Sequence, residues 1–236
     1  MLENATVKLE KLTETNPKRP RRYEDGCGMA HALDLIGDRW ALLIVRELML
    51  GPKRFSDIRA DLPGLSANTL TQRLAELERN GIVLRQPLAP PAAGQAYGLT
   101  EWGYQSKPIM GALARWATRS PAHDVAQNFS PVSLILSFQA MGQPGLPKQI
   151  DARYGFRFGR ESYVVTIRDG AIGAERGDAG AADAVFTGTP RAVAAAVYGG
   201  VPLAELEADG ALAIAGDRAL AAQFVTLFPL PPKAGA

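Results

Sequence analysis

Residues 51–100 read GPKRFSDIRADLPGLSANTLTQRLAELERNGIVLRQPLAPPAAGQAYGLT, and the order of elements they predict decides the fold. A short helix follows Gly51-Pro52, Pro63-Gly64 marks a turn, and Ser66 opens a longer helix in which Leu70, Leu74 and Leu77 form one apolar stripe. Gly81 stops that helix. Ile82 to Leu88 and Gln95 to Leu99 read as two short strands joined by a tip rich in proline and alanine, a β-hairpin appended to a helix-turn-helix. This order suits a winged helix that lies on DNA.

A helix turns by about 100° per residue, so a buried leucine stripe leaves Asn68, Gln72, Ala75 and Arg79 on the opposite side, with Thr69 and Thr71 on its flanks. Asn and Gln side chains can make a bidentate contact to adenine in the major groove. Asn68 and Gln72 are therefore the expected base readers, and Thr69 and Thr71 the secondary ones. Lys53 and Arg54 open the preceding helix, where cations and backbone N–H groups hold phosphate. Arg39 is a further phosphate candidate, as are Arg59 and Arg73, although each has an acidic neighbour, Asp38, Asp61 or Glu76, with which it could pair. The tip APPAAG carries no Lys or Arg, so the wing is expected to touch DNA weakly, through Gln95 or backbone groups.

Upstream, residues 1–22 are polar, contain Lys18-Arg19-Pro20-Arg21-Arg22 and show no sustained period; they read as a flexible tail. Helical patterning starts near Cys27 and breaks at Gly37-Asp38, and Trp40 to Leu50 is a second, more apolar helix. Downstream, Thr100 caps a helix that Pro108 bends or restarts and that runs to about Arg119. The winged-helix region is thus 23–120, residues 121–131 read as a linker, and 132–231 as a second domain. There the pattern alternates: Ile150, Ala152, Tyr154 and Phe156 share a face, as do Tyr163, Val165 and Ile167, and Asp169-Gly170 signals a hairpin. Strands near Ala184 to Thr187 and Ala211 to Ala215, with helices at Pro190 to Tyr198, Leu203 to Ala208 and Asp217 to Phe228, complete an α+β module with a largely antiparallel sheet.

Composition narrows the function. The 236 residues suffice for two cores, and no apolar run approaches the roughly 20 residues that span a bilayer. Glu3 and Glu10 break the pattern of a secretion signal, so the expected location is the cytoplasm, with no membrane partner. A single cysteine and two histidines leave no multi-cysteine metal site, and no cofactor is expected. The net charge of +2 is small, but residues 1–120 carry a balance of +4 and residues 121–236 one of −2, so the basic surplus lies with the half expected to meet phosphate. No phosphate-binding glycine loop, metal cluster or Ser/His/Asp arrangement is present, which argues against an enzyme.

From Cys27 to Ser120, the blocks GDRWALLIVRELMLGPKRF, LSANTLTQRLAELERNGIV and YGLTEWG resemble the HxlR family of bacterial winged-helix transcription regulators. The resemblance implies a homodimer built from the first and last helices of the domain, double-stranded DNA as partner, a palindromic operator, and Leu33, Leu113 and Trp116 near the interface or core. It also implies a sensing role for Cys27, since some members detect oxidants or electrophiles through a cysteine at this place; an inert packed thiol is the other reading. The blocks IRDGAIGAERG, ADAVFTGTPRAVAAAVYGG and ALAIAGDRALAAQFVTLFPLP are similar to the sterol carrier protein family. That resemblance implies helices on a curved sheet around an apolar tunnel and a small apolar ligand. Leu134, Phe156, Phe186, Val197, Phe224 and Phe228 then either line such a cavity or form a plain core. The alternative to a regulator is a lipid-binding protein whose winged helix serves protein contacts.

Overall fold

A computed structural model describes residues 23–88, 94–142 and 145–235. The basic run at residues 18–22 and tip residues 89–93 lie outside the described residues. The chain divides into two compact units, Met1–Asp38 and Arg39–Ala236. In the first, α1 (Gly28–Ile36) buries Ala30 and leaves Met29 and Leu33 exposed. The backbone N–H of Tyr23 donates to Asp34 Oδ1 at 3.2 Å.

The second unit begins with α2 (Ala41–Leu48), whose preceding residue Trp40 has φ 81°. A bulky L-residue there costs roughly 1–2 kcal/mol. Helix α3 (Phe55–Asp61), a turn, and α4 (Ala67–Arg79) form the helix-turn-helix. Ser66 caps α4 by accepting from the Thr69 N–H at 3.1 Å, and Leu70, Leu74 and Leu77 are buried. Strands β1 (Val83–Pro87) and β2 (Gln95–Leu99) pair antiparallel, from Val83 opposite Leu99 to Pro87 opposite Gln95. Thr100 caps the short α5 (Glu101–Tyr104), and α6 (Lys107–Ala117) restarts with Pro108 in its first turn. Gly103 permits a close approach: a Cβ there would stand 2.3 Å from the Ile82 carbonyl oxygen.

Helix α7 (Pro131–Met141) was not expected. Val132, Leu134, Ile135, Phe138, Ala140 and Met141 are all buried, so almost no polar face remains to create a helical period. Its start is nonetheless written locally. Ser130 accepts from the Ser133 N–H at 3.0 Å, and Pro131, read as the end of a linker, occupies the first helical position, where its missing N–H is harmless.

The sheet is built from β3 (Ala152–Phe158), β4 (Glu161–Arg168), β5 (Ala171–Arg176), β6 (Ala184–Gly188) and β7 (Leu212–Gly216), in the order β5-β4-β3-β6-β7. Asp169 and Gly170, both at positive φ, make the tight β4–β5 turn. All neighbours are antiparallel except β3 and β6, which run parallel at the centre. Helices α8 (Pro190–Gly199), α9 (Leu203–Ala208) and α10 (Arg218–Phe224) complete the module. The whole is α+β, as expected.

The expected linker is not where compactness divides the chain, because the two modules share packing. Leu50 belongs to the same buried cluster as Val132, Phe138 and Phe156, and α2 and α6 both pack against α7. The C-terminal segment returns as well: Lys233 Nζ donates to the carbonyls of Ser120, Thr118 and His123 at 3.0, 3.1 and 3.2 Å, neutralising the carboxyl end of α6. Among the described residues no helix is long and apolar enough to cross a membrane.

Candidate nucleic-acid interface

On α4, Asn68, Thr71 and Gln72 are exposed, Thr69 is half-buried, and the three leucines face inward. The side chains differ in how they are held. Thr71 Oγ1 donates to the Ala67 carbonyl at 2.9 Å, and Thr69 Oγ1 shares a 2.8 Å hydrogen bond with Ser66 Oγ, so both are engaged in the helix start. Gln72 Nε2 donates to Glu76 Oε1 at 3.2 Å, which holds its amide lengthwise along the exposed face. The second Glu76 oxygen pairs with Arg73, the local pairing anticipated from the sequence.

Lys53 corrects an expectation. Rather than reaching phosphate, it is 2% exposed, and its ammonium pairs with Asp61 and sits 3.2 Å from Glu47 and 3.5 Å from Glu161. Burial pulls its pKa down, but Glu47, Asp61 and Glu161 together outweigh burial and raise it above the ordinary lysine value. The cause is a backbone bridge: the Lys53 N–H donates to the Tyr97 carbonyl and the Lys53 carbonyl accepts from the Tyr97 N–H, each at 2.9 Å. Extended backbone sends successive side chains to opposite sides, so Lys53 points inward and Arg54 outward. Glu47 is fully buried and is also held by Arg46 at 2.7 Å and by the Ser130 hydroxyl at 2.7 Å.

Arg54 is exposed at the start of α3, and Arg39 is exposed with its guanidinium 5.3 Å from the Trp40 ring centroid. Gln95 is exposed at the start of β2. The wing also carries a cation on its stem that was not among the expected contacts. Arg85 on β1 stacks 5.3 Å from the Tyr97 ring centroid, lies 3.4 Å from Glu78, and keeps 54% of its side chain exposed. The signal was the pairing of Arg85 with Tyr97 across the hairpin.

Residues 35–124 match the family model for the HxlR-like helix-turn-helix. The uncharacterized HTH-type transcriptional regulator YvaP of Bacillus subtilis (strain 168) is 42% identical over 87 residues, which are 37% of this chain and 81% of that relative. The chain belongs to the HxlR-like family. A second similar protein of this family's kind, the HTH-type transcriptional regulator YodB of the same organism, is 42% identical over 89 residues, 38% of this chain and 80% of that one. The crystal structure of quinone-bound YodB from B. subtilis is similar at 40% identity over 38% of this chain and 93% of that chain, with a TM-score of 0.34. These relatives are transcriptional regulators and not enzymes.

In this HxlR-like chain Cys27 is exposed and precedes α1. The amide N–H groups of Ala30 and Met29 lower its thiol pKa below the ordinary 9.0, without a capping hydrogen bond. The six residues expected to line an apolar cavity are all buried in the second unit. Their rings touch: Phe156 stacks on Phe186 at 5.2 Å, and Phe224 lies 5.4 Å from Phe156, 5.6 Å from Phe186 and 4.8 Å from Phe228. Contact at these distances is how a filled core is built.

Proposed function

We propose that this HxlR-like regulator binds double-stranded DNA as a homodimer at a palindromic operator, with α4 in the major groove. The observation that carries the reading is the division of α4 into two faces: a fully buried leucine ridge, and an exposed face presenting Asn68 and Gln72. Arg54 and Arg39 supply phosphate contacts, and Arg85 supplies the cation that the wing tip lacks. Ile109, Leu113 and Trp116 form an exposed apolar stripe along α6, with Trp116 at 72% exposure, and Met29 and Leu33 form another on α1. Such stripes support burial against a second copy.

The C-terminal module serves as a control domain attached to the helix-turn-helix through the Lys53 cluster. Because its aromatic rings pack on one another, no effector is placed among them. Footprinting of the purified chain on its own upstream region at moderate salt tests the proposal. Two protected half-sites, about 10–10.5 base pairs or a multiple of that apart, are expected; absence of any protected palindrome favours the alternative, a ligand-binding protein that uses its winged helix for protein contacts.

A further inference from the structure

A cleft of about 330 Å³ opens where the helix-turn-helix meets the C-terminal module. Ala60, Asp61 and Pro63 bound it on the side of the α3–α4 turn, and Phe129, Phe158 and Thr189 on the other. The volume falls in the range of small-molecule sites, and the walls combine aromatic and aliphatic surface with a few polar groups. Among the described residues that line the cleft, Asp61 alone is ionisable.

We infer that this cleft binds a small organic amine, its apolar body against Phe129, Phe158 and Pro63 and its ammonium on the Asp61 carboxylate. Asp61 keeps 17% of its side chain exposed, and only its Oδ2 is engaged by Lys53, so the ligand meets Oδ1. Burial, with Glu47 and Glu161 nearby, raises the Asp61 carboxyl pKa above its ordinary value, against the opposing pull of Lys53. Lys53 is already divided among Asp61, Glu47 and Glu161. A cation at Asp61 gives that carboxylate a second partner, whereas an anion would be repelled by the one charged group that lines the cleft.

The position also couples ligand to DNA. Pro63 stands in the turn that leads into α4 at Ala67, while Phe158 and Thr189 belong to the β3–β4 and β6–α8 corners. A ligand touching both sides favours one setting of the turn over another, and only such differential affinity shifts DNA occupancy. This regulatory half rests on the DNA-binding reading above; the binding half does not.

The test uses the full chain with 2-phenylethylamine as probe and 3-phenylpropionate as its anionic counterpart, followed by titration calorimetry and ligand-observed NMR. The amine is expected to bind at least about tenfold more tightly than the acid, and Asp61→Asn to weaken the amine by about tenfold or more. Asp61→Asn also disturbs the Lys53 cluster, so Ala60→Trp, on an exposed helix position, serves as a second variant that fills the cleft and abolishes binding while leaving the far-UV circular dichroism unchanged. No binding of the amine, equal binding of the acid, or binding unaffected by Ala60→Trp overturns the site. In a parallel gel-shift titration the amine is expected to change operator affinity about tenfold. Amine binding with unchanged operator affinity overturns the regulatory half, and absence of any DNA binding overturns the regulator reading while the calorimetry still decides the site.

Discussion

The Lys53 ammonium stands 3.5 Å from Glu161 Oε1, so the residue that opens the helix-turn-helix is tied to the second strand of the C-terminal sheet. Glu161 is also held by Arg176 at 2.8 Å, which stacks in turn 5.1 Å from the Tyr163 ring centroid. The ion pairs thereby run from the helix-turn-helix into the sheet. Removing their centre leaves Glu47, Asp61 and Glu161 facing one another. Lys53→Met is therefore expected to destabilise the protein by about 3–5 kcal/mol in urea unfolding.

Salt dependence separates structural from phosphate-contacting cations. Arg54→Ala is expected to reduce the slope of log K against log salt by about 1, as loss of one phosphate contact requires. Lys53→Met, compared at a temperature where it remains folded, is expected to leave that slope unchanged. A reduced slope for Lys53→Met would restore it to the phosphate surface.

Base reading is checked by specificity rather than affinity alone. Asn68→Ala and Gln72→Ala are each expected to lose about 1–3 kcal/mol of discrimination at one operator position. Competition binding across single-base operator variants measures this. In the proposed complex Gln72 exchanges its bond to Glu76 for a base edge, so Glu76→Ala is expected to strengthen or broaden DNA binding rather than abolish it.

High pH should unfold the protein from the inside. Burial raises the Tyr154 hydroxyl pKa from 10.0 to about 12, and it raises those of Tyr163 and Tyr198 as well. Folded values above unfolded ones mean that this stability is complete below pH 10 and is lost as pH rises through the folded values. The raised Lys53 value acts in the same direction. Urea midpoints should therefore fall progressively above about pH 10. The Tyr154 hydroxyl is buried with no hydrogen-bond partner among the described residues. Tyr154→Phe is thus expected to be neutral or stabilising by about 1 kcal/mol at pH 7 and to flatten the alkaline decline; a clear loss of stability would show that the hydroxyl is satisfied in solution.

The apolar stripe of α6 predicts association. Trp116→Glu is expected to shift sedimentation from dimer to monomer and to weaken operator binding at least about tenfold, because two half-sites are then no longer held together. An unchanged sedimentation coefficient would remove α6 from the interface.

The helix-turn-helix was legible because its signals are local. Ser66 as a cap, leucines at 70, 74 and 77, and the paired strands of the wing each follow from residues a few positions apart. Helix α7 escaped because a helix buried on nearly every side has no contrast between faces, even though Ser130-Pro131 marked its start. Arg85 escaped because its place beside Tyr97 depends on the register of two strands and not on its neighbours in sequence.

The chain's own order of residues determined which side of α4 goes inward, since an apolar ridge at helical spacing can be buried in only one orientation. Tertiary structure alone decided the fate of Lys53. Its neighbours in sequence suggest a phosphate contact, but the bridge to Tyr97 turns it inward, and its partners Glu47, Asp61 and Glu161 come from three separate elements. The same long-range meeting of α3 with the strand corners creates the cleft beside Asp61, and no local periodicity encodes a space between modules.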